Sequence, residues 1–505
     1  MLWSRYIDPL PELDPMMIGT KIFVSIEDLG PGNLYPTWKD LLDSGADEIV
    51  LMPGDYVAAD IPVGGGAIGT SHLEFGATQD GIPGRRRVLR GFGDEPQWMY
   101  PSYLRTRIPG FQFGTFQGAA SAYWIVHNVA MTGGTIWENS IRNRSHHIVV
   151  DQLFLQDHIN AYGVRFLLGA HDCVIQRFVM LDPGAFTDGV AVQWKAPNQA
   201  QQAAGFGPMH NLRVLSGVVR NYNDAFAISV TQDTESNQED GLLFDDGIVD
   251  DCDFFATSAI RTDGSGVPGS GDAYMIGENA MDIKGGAADP ARAVLFSNLR
   301  MHGYRYFDAS GGPSGSDGAA ITIHVKAKRL IFKHIYIWDC PVGIRVSSWL
   351  PANAPQPDRE IVIEDAVFSG LTRYAPEDRG GIAIVSRMPL TLRRVAFVDC
   401  ENGINDLTPL LPGYDLSIDK SAVVDTPLGT ASGPWALGDN RTRVRSRVPD
   451  LRVKVNRIFD PELVVLPNSA ALLSRPVNAA SITTQNTRAT IMADSPAQTI
   501  QVQAP

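Results

Sequence analysis

The sequence predicts a right-handed parallel β-helix, because one segment recurs many times through the middle of the chain. Each clear copy has two short alternating strands joined by a two-residue corner, and the copies occupy residues 148–157, 173–182, 242–251, 330–339 and 390–399. A third short strand follows each copy. Alternation buries one face of each strand. Three short strands per repeat are typical of a parallel β-helix.

The third strands fix which side chains face the core. Their apolar residues alternate with polar ones, so the apolar set points inward and its neighbours point outward. We therefore expect these residues to be buried in stacked rows: Val164, Phe166, Val190, Val192, Met281, Ile283, Ile321, Ile323, Ile344 and Val346.

The ends of the chain differ from the repeating middle. Residues 37–46 predict a short helix and residues 48–56 the first strand and turn, so the helix covers the open end of the solenoid, as solenoids require. The repeat is lost after about residue 440. We expect an N-terminal extension (1–36), a β-helix domain (37–440) and a C-terminal segment (441–505) that is a small β element, an oligomer contact or an extended arm.

Composition excludes several classes of protein. The formal net charge of -14 argues against nucleic-acid binding, and also against a polyanionic substrate unless positive charge is concentrated locally. No stretch is long and apolar enough for membrane insertion. The first residues lack the apolar core of a secretory signal. We expect an extracellular or virion-surface location, reached after removal of a signal or by lysis as part of a virus particle.

Two columns in the repeat have structural explanations. Five aspartates and one asparagine fall just after the second strand, where Asx side chains bond local backbone amides in a turn ladder: Asp157, Asp182, Asn221, Asp251, Asp339 and Asp399. Cys252, Cys340 and Cys400 follow one residue later and predict a stack of buried free thiols. Stacked turns offer poor geometry for a disulfide.

The outward column of the third strands gathers ionisable groups in one place. Neighbouring turns lie ~4.8 Å apart, so Asp282, Lys284, His324 and Arg345 should form one polar patch. The alternative interpretation, without a catalytic role, is that Asp282 and Lys284 make an ordinary surface ion pair.

Long insertions cluster around the same turns, at about residues 194–208, 230–240, 256–276, 304–318 and 348–359. Long loops on a rigid scaffold usually build binding sites, and aromatic rings suit the apolar faces of sugars. The expected substrate-binding residues are Arg165, Gln193, Trp194, Tyr274, Tyr304 and Trp349. The alternative is that the aromatic residues only pad the solenoid wall.

Residues 277–286 (GENAMDIKGG) resemble the segment of pectate-lyase-like β-helices that carries acidic metal ligands and a lysine base. Chondroitin B lyase, the related alginate lyases and one pectate lyase family share this style. Residues 47–56 and 86–96 at the start of the solenoid look similar too. The resemblance covers about residues 40–425 as architecture and is specific only over ten residues.

The resemblance implies β-elimination at a uronic acid. Lys284 would be the base, His324 the acid, and Arg345 or Arg165 would bind the substrate carboxylate. Asp282 beside Lys284 raises the pKa of the lysine, so the resemblance implies a calcium ion held by Asp282 and Glu278 that reverses this effect.

Other interpretations stay open. Asp245 and Asp246 could act as a glycosidase pair, whereas the pair His146 and His147 is expected to be structural.

A phage tailspike or other virion surface protein that binds host polysaccharide without cutting it is the alternative function, and a purely structural solenoid is a third. Virion spikes of this kind predict a homotrimer, with a monomer as the alternative.

Overall fold

A computed structural model describes the chain over residues 19–57, 72–83, 85–93, 95–115, 118–132, 139–156, 162–183, 189–230, 244–256, 260–261, 274–275, 278–304, 319–324, 327–346, 360–371, 381–386, 390–398, 400, 402–406, 416–419, 422–424 and 444–446. Nearly all regular structure in these residues is β-strand, as the sequence predicts. Two short α-helices are present among the described residues, α1 (Trp38–Leu42) and α2 (Gln199–Ala203), beside a few single turns of 3-10 helix.

The first strands in chain order are β1 (Lys21–Val24), β2 (Glu48–Leu51), β3 (Gly54–Asp55), β4 (His72–Phe75), β5 (Arg87–Gly91), β6 (Thr106–Arg107), β7 (Gly110–Phe113), β8 (Ala122–His127), β9 (Ala130–Thr132), β10 (Asn139–Ile141), β11 (His146–Asp151), β12 (Phe154–Gln156), β13 (Tyr162–Leu167), β14 (His171–Gln176), β15 (Val179–Leu181), β16 (Val190–Ala196), β17 (Met209–Leu215) and β18 (Val218–Arg220).

The remaining strands are β19 (Asp224–Val230), β20 (Phe244–Asp245), β21 (Ile248–Asp250), β22 (Asp253–Phe255), β23 (Ile260–Arg261), β24 (Tyr274–Met275), β25 (Asn279–Ile283), β26 (Val294–His302), β27 (Ala319–Ile323), β28 (Leu330–Trp338), β29 (Val342–Val346), β30 (Ile361–Ser369), β31 (Ile382–Ser386), β32 (Thr391–Val398), β33 (Asn402–Asp406), β34 (Leu416–Asp419), β35 (Ala422–Val424) and β36 (Val444–Ser446).

The strands stack into three walls of a parallel β-helix. Wall 1 runs from β1 and β2 through β5, β8, β11, β14 and β17 to β20 and β21, and wall 2 from β3 through β6, β9, β12, β15 and β18 to β22. The long strands β26, β28, β30 and β32 run through both of these walls. Wall 3 is a separate sheet in the order β4-β7-β10-β13-β16-β19-β25-β27-β29-β31-β33. Only β23 and β24 pair antiparallel among the described strands.

The core confirms the predicted register. All ten third-strand residues expected to face inward are buried, among them Val164, Ile283 and Ile344 at 0% exposure. Stacked aromatic rings continue the rows from turn to turn, as Phe296 and Phe332 do with ring centroids 4.7 Å apart. Because successive turns repeat the same inward positions, the core is one continuous column along the solenoid.

The N-terminal end starts earlier than predicted. Strand β1 at Lys21–Val24 already pairs in parallel with β2, so the first rung precedes the expected boundary at residue 37. Helix α1 follows, with Thr37 and Asp40 in a reciprocal capping box. Trp38 and Leu41 from this helix are buried in the core, as a helix covering an open end requires. At the other end, β36 still pairs with β34, just beyond the predicted limit at residue 440.

The aspartate ladder is two ladders. Asp182, Asn221 and Asp339 lie at the corner between walls 2 and 3, but Asp251 lies at the corner between walls 1 and 2, because it directly follows β20 and β21 of wall 1. Asp157 and Asp399 lie outside the described residues. The other four have a positive φ of 46–61°, which Asx residues tolerate. The carboxylate of Asp182 accepts hydrogen bonds from Arg220 and Asn221 of the next turn, so the side chains bond between turns rather than to local amides.

The cysteines are all buried and free, as predicted. Cys252 follows the first corner, however, whereas Cys340 and Cys400 follow the second, so the expected single stack is wrong. None of the helices in the described part of the chain is long and apolar enough to span a membrane.

Candidate functional site

The outward face of wall 3 carries one column of aligned residues that is polar except at Ala227. Strand pairing places Arg165, Gln193, Ala227, Asp282, Thr322 and Arg345 beside one another on six successive strands. This is the order that alternation predicts from the sequence. Lys284 and His324 lie two residues further along β25 and β27, at the ends of those strands.

Asp282 is the centre of the column. Its Oδ2 lies 3.0 Å from Nζ of Lys284, and its Oδ1 lies 2.7 Å from Nε2 of His324. Asp282 is 8% exposed, and the side chain of Lys284 is the most accessible of the three at 27%. The expected patch therefore exists, with one carboxylate held between an ammonium group and an imidazole.

A second carboxyl group, Asp224, lies on the neighbouring strand. Asp224 begins β19, three residues before Ala227, which pairs with Asp282 of β25. The carboxyl of Asp224 contacts the amide of Asn279 at 3.4 Å, and Asn279 in turn lies 2.7 Å from the hydroxyl of Thr322. Glu278 is bound by Nδ2 of Asn223 at 3.0 Å. Polar contacts thus link three adjacent strands.

The two aspartates differ in protonation. Burial, together with the negative charges of Asp282 and Glu278, raises the pKa of Asp224 well above its ordinary value. Burial also opposes ionisation of Asp282, but the hydrogen bond from His324 and the charges of His324 and Lys284 outweigh it and lower the pKa of Asp282. The opposite shifts divide the two carboxyl groups into one that keeps its proton to higher pH, Asp224, and one that loses its proton at lower pH, Asp282. Such a division is typical of general acid and base pairs.

The donor set of Asp282 and Glu278 does not fit the expected calcium ion. A calcium site needs six to eight oxygen ligands, yet both oxygens of Asp282 face nitrogen atoms within 3.0 Å, and Glu278 accepts from Asn223. Within the described ranges, the three-ligand His, Cys, Asp or Glu cluster close enough for a metal ion lies elsewhere. We therefore derive no chemical step through calcium.

Arg165 and Gln193 form a second contact on the same face. Nε of Arg165 donates to Oε1 of Gln193 over 2.8 Å, and the guanidinium lies 4.0 Å from the centre of the Tyr162 ring. Gln193 is 5% exposed, so it orients Arg165 more than it meets solvent. Tyr162 is a ring on this face that the sequence interpretation did not include.

The predicted roles of Trp194 and Tyr304 are wrong. Both side chains are 0% exposed and belong to the core, where Trp194 packs edge-on against Phe226. Strand β16 continues to Ala196, so alternation places Trp194 inward with Val192 instead of in a loop. The side chain of Tyr274, and all of Trp349, lie outside the described residues.

Asp224 was missed because β19 begins at Asp224, two residues before the apolar alternation that starts at Phe226. The sequence feature that could have identified Asp224 was the presence of polar residues on a strand next to the Asp282 strand. Alignment of neighbouring turns, residue by residue, would have brought Asp224 beside Asn279.

Two other places compete with this site. Asp245 and Asp246 are both paired with Arg292, which ends a short 3-10 turn before β26. Asp245 also accepts from the backbone of Ala288 at 2.8 Å, so this pair is structural. A groove of about 590 Å³ on wall 2 lies near the start of the solenoid and includes Tyr103 and Arg105. Among its described lining residues it has no pair of carboxyl groups whose pKa values are shifted in opposite directions. We therefore do not assign the proposed chemistry to it.

Comparison with known proteins gives distant likenesses only. No family model and no curated protein matches the chain. Among solved structures, an alginate lyase from Paenibacillus sp. str. FPU-7 has 14% identity and a TM-score of 0.41, covering 72% of this chain and 97% of the lyase. A GH87 α-1,3-glucanase catalytic domain in complex with tetrasaccharides has 12% identity and a TM-score of 0.35, covering 87% and 70%. At these levels we take no function from either protein.

Proposed function

We propose that wall 3 binds an acidic polysaccharide and hydrolyses it, with Asp224 at the start of β19 as the proton donor and Asp282 of the outward column as the ionised partner. The observation that carries the proposal is that two aspartates on adjacent strands have pKa values shifted in opposite directions. Glycoside hydrolysis needs this combination, one carboxylic acid and one carboxylate.

The proton transfers in hydrolysis assign a role to each side chain. Asp224 gives its proton to the glycosidic oxygen as the bond to the anomeric carbon breaks. In one route Asp282 takes a proton from the water that attacks the anomeric carbon. In the other, Asp282 attacks the anomeric carbon and forms a glycosyl ester, which water then hydrolyses after giving a proton to Asp224; the two routes differ in stereochemical outcome. Nε2 of His324 faces Asp282 and its Nδ1 is buried, so His324 positions the carboxylate instead of meeting the polymer.

Cationic side chains support an acidic substrate. Arg165 lies three strands before Asp282 and Arg345 two strands after it, which is about 14 Å and about 10 Å at ~4.8 Å per strand. Lys284 lies beside the pair. A polymer that runs along the solenoid axis would meet these charges in succession. Local positive charge of this kind attracts a polyanion even though the whole chain is acidic.

A second candidate is β-elimination with Lys284 as the base, as the sequence resemblance implies. It is favoured by the accessibility of Lys284, whose side chain is the most exposed of the central three. The ion pair with Asp282 works against it, because a neighbouring carboxylate stabilises the ammonium form that cannot accept a proton. A third outcome is polysaccharide binding without cleavage, as in a virion surface protein that binds its host.

The test is incubation of the full chain with a panel of uronic-acid, capsular and neutral polysaccharides. Hydrolysis predicts new reducing ends without ultraviolet absorbance, whereas elimination predicts unsaturated ends that absorb. Because no step uses calcium, a calcium chelator should leave the rate unchanged. Tight binding of a polymer with no new ends of either kind would overturn both catalytic proposals in favour of recognition. Absorbing products would overturn hydrolysis in favour of Lys284.

A further inference from the structure

A row of histidines lies at the corner between walls 3 and 1, away from the Asp224–Asp282 pair. Strand pairing sets His146, His171 and His210 directly beside one another at the starts of β11, β14 and β17. The ring centroids of His171 and His210 are 4.8 Å apart, and those of His146 and His171 are 5.1 Å apart. The sequence interpretation considered only the pair His146 and His147, and expected it to be structural.

The residue after each histidine projects its side chain at the same corner. Asp172 follows His171 with a left-handed φ of 53°, and Asn211 follows His210 with a φ of 49°. Asp172 Oδ2 lies 4.0 Å from Nε2 of His171 and 3.7 Å from Nε2 of His210. One carboxylate oxygen therefore faces two imidazole nitrogens from adjacent turns.

The outer contacts of these residues match those of metal ligands. Nδ1 of His171 lies 3.0 Å from the carbonyl oxygen of Gly169, and Nδ1 of His210 lies 3.5 Å from that of Pro208. A proton held on Nδ1 by a backbone carbonyl leaves the lone pair on Nε2, which is how metal-binding histidines are oriented. Nδ2 of Asn211 donates to Oδ1 of Asp172 over 2.7 Å, so Oδ2 remains the oxygen that faces the imidazoles.

The spacing is close to what a bound ion requires. Ligands at about 2.0–2.1 Å from a tetrahedral zinc ion lie roughly 3.3 Å apart. The two carboxylate–imidazole pairs here lie 3.7 and 4.0 Å apart, and all three ligand atoms lie within 4.8 Å of one another. Small side-chain rotations would close the difference. The three side chains are 25–38% exposed, so an ion can enter from solvent and keep a water ligand.

We propose that His171, Asp172 and His210 form a binding site for a divalent transition-metal ion, with zinc as the representative ion. Two imidazoles and one carboxylate leave the fourth position of a tetrahedral zinc ion open. Imidazole nitrogen favours zinc and its neighbours over magnesium and calcium, which prefer oxygen. The ion would join β14 to β17 across two turns of the solenoid. The proposal does not depend on polysaccharide cleavage.

The test is calorimetric titration of the tag-free full chain with Zn²⁺ in a non-chelating buffer. We expect one zinc ion per chain. His171→Ala, His210→Ala and the isosteric Asp172→Asn should each weaken binding by more than the about 10- to 100-fold that loss of an outer contact costs. The matched control is His302→Ala, since His302 stacks on Trp338 elsewhere on the solenoid.

Three results would overturn the site. These are no saturable zinc binding by the wild-type chain, wild-type affinity in all three variants, or loss of binding in the His302 control to the same extent. X-ray absorption of the zinc-loaded chain gives an independent readout, because two imidazole ligands have a recognisable scattering pattern. Circular dichroism of each variant shows whether the β-helix is retained, so that unfolding is not mistaken for loss of a ligand.

Discussion

At the scale of single residues, the proposed chemistry depends on how burial and neighbouring charge shift the pKa values of two aspartates in opposite directions. Asp224 and Asp282 are almost equally buried, at 9% and 8% exposure, yet their pKa values move in opposite directions. The difference lies in their partners. Asp282 has His324 and Lys284 within 3.0 Å, whereas the groups that act most strongly on Asp224 after burial are two other acids.

The raised pKa of Asp224 predicts a dependence of stability on pH. Below the pKa of Asp224 in the unfolded chain, the carboxyl is protonated in both the folded and the unfolded state, and it does not lower the free energy of unfolding. As the pH rises from there towards the folded-state pKa, the free energy of unfolding falls. Asp224→Asn removes this loss of stability. Its melting temperature relative to the wild type should therefore rise by about 1–3 °C between pH 4 and pH 8.

The measurement is a pair of thermal melts at the two pH values, with Asp245→Asn on wall 1 as the control. A difference between Asp224→Asn and the wild type that is the same at both pH values would contradict the raised pKa. This test needs no substrate.

At the scale of elements, the strand register could be predicted from the sequence because side-chain direction has a period of two. The inward positions Met281, Ile283, Ile321, Ile323, Ile344 and Val346 of β25, β27 and β29 follow from alternation alone, and all were confirmed. Strand limits could not be predicted in the same way. Trp194 and Asp224 were misjudged because β16 ends later and β19 begins earlier than the hydrophobic pattern indicates.

The inward position of Ile283 gives a test of this register. Ile283→Asp should unfold or aggregate the protein, because the new carboxylate would be an unpaired charge in the core. Its sequence neighbours Asp282 and Lys284 belong to the outward side of the strand. Ile283→Val is the matched control and should cost only about 0.5–1.5 kcal/mol. Thermal melts and light scattering check both. A soluble Ile283→Asp protein with a wild-type melting temperature would mean that the register is shifted by one residue.

At the scale of the whole molecule, the solenoid turns a sequence repeat into columns of side chains. Wall 3 aligns Arg165, Asp282 and Arg345 although 180 residues separate the first from the last in the chain. The wall 3 to wall 1 corner aligns the histidines by the same principle. The order within each column could be predicted from the repeat, but contacts between columns, such as Asn279 with Thr322, depend on side-chain conformation.

The assembly state is a prediction at this scale. A virion spike built on this fold predicts a homotrimer, which would have three times the 54.9 kDa mass of one chain. Light scattering at micromolar concentration measures it. A single-chain mass across the concentration range would contradict the trimer and leave the monomer.

The most direct test of the central claim is the cleavage rate of Asp224→Asn on an acidic polysaccharide that the wild-type chain hydrolyses. We predict a rate lower by about 10²–10⁴-fold, the usual contribution of a general acid, with the affinity for the intact polymer retained. Asp245→Asn should cleave at the wild-type rate. A wild-type rate in Asp224→Asn would contradict the assignment and move the catalytic centre away from the Asp224–Asp282 pair.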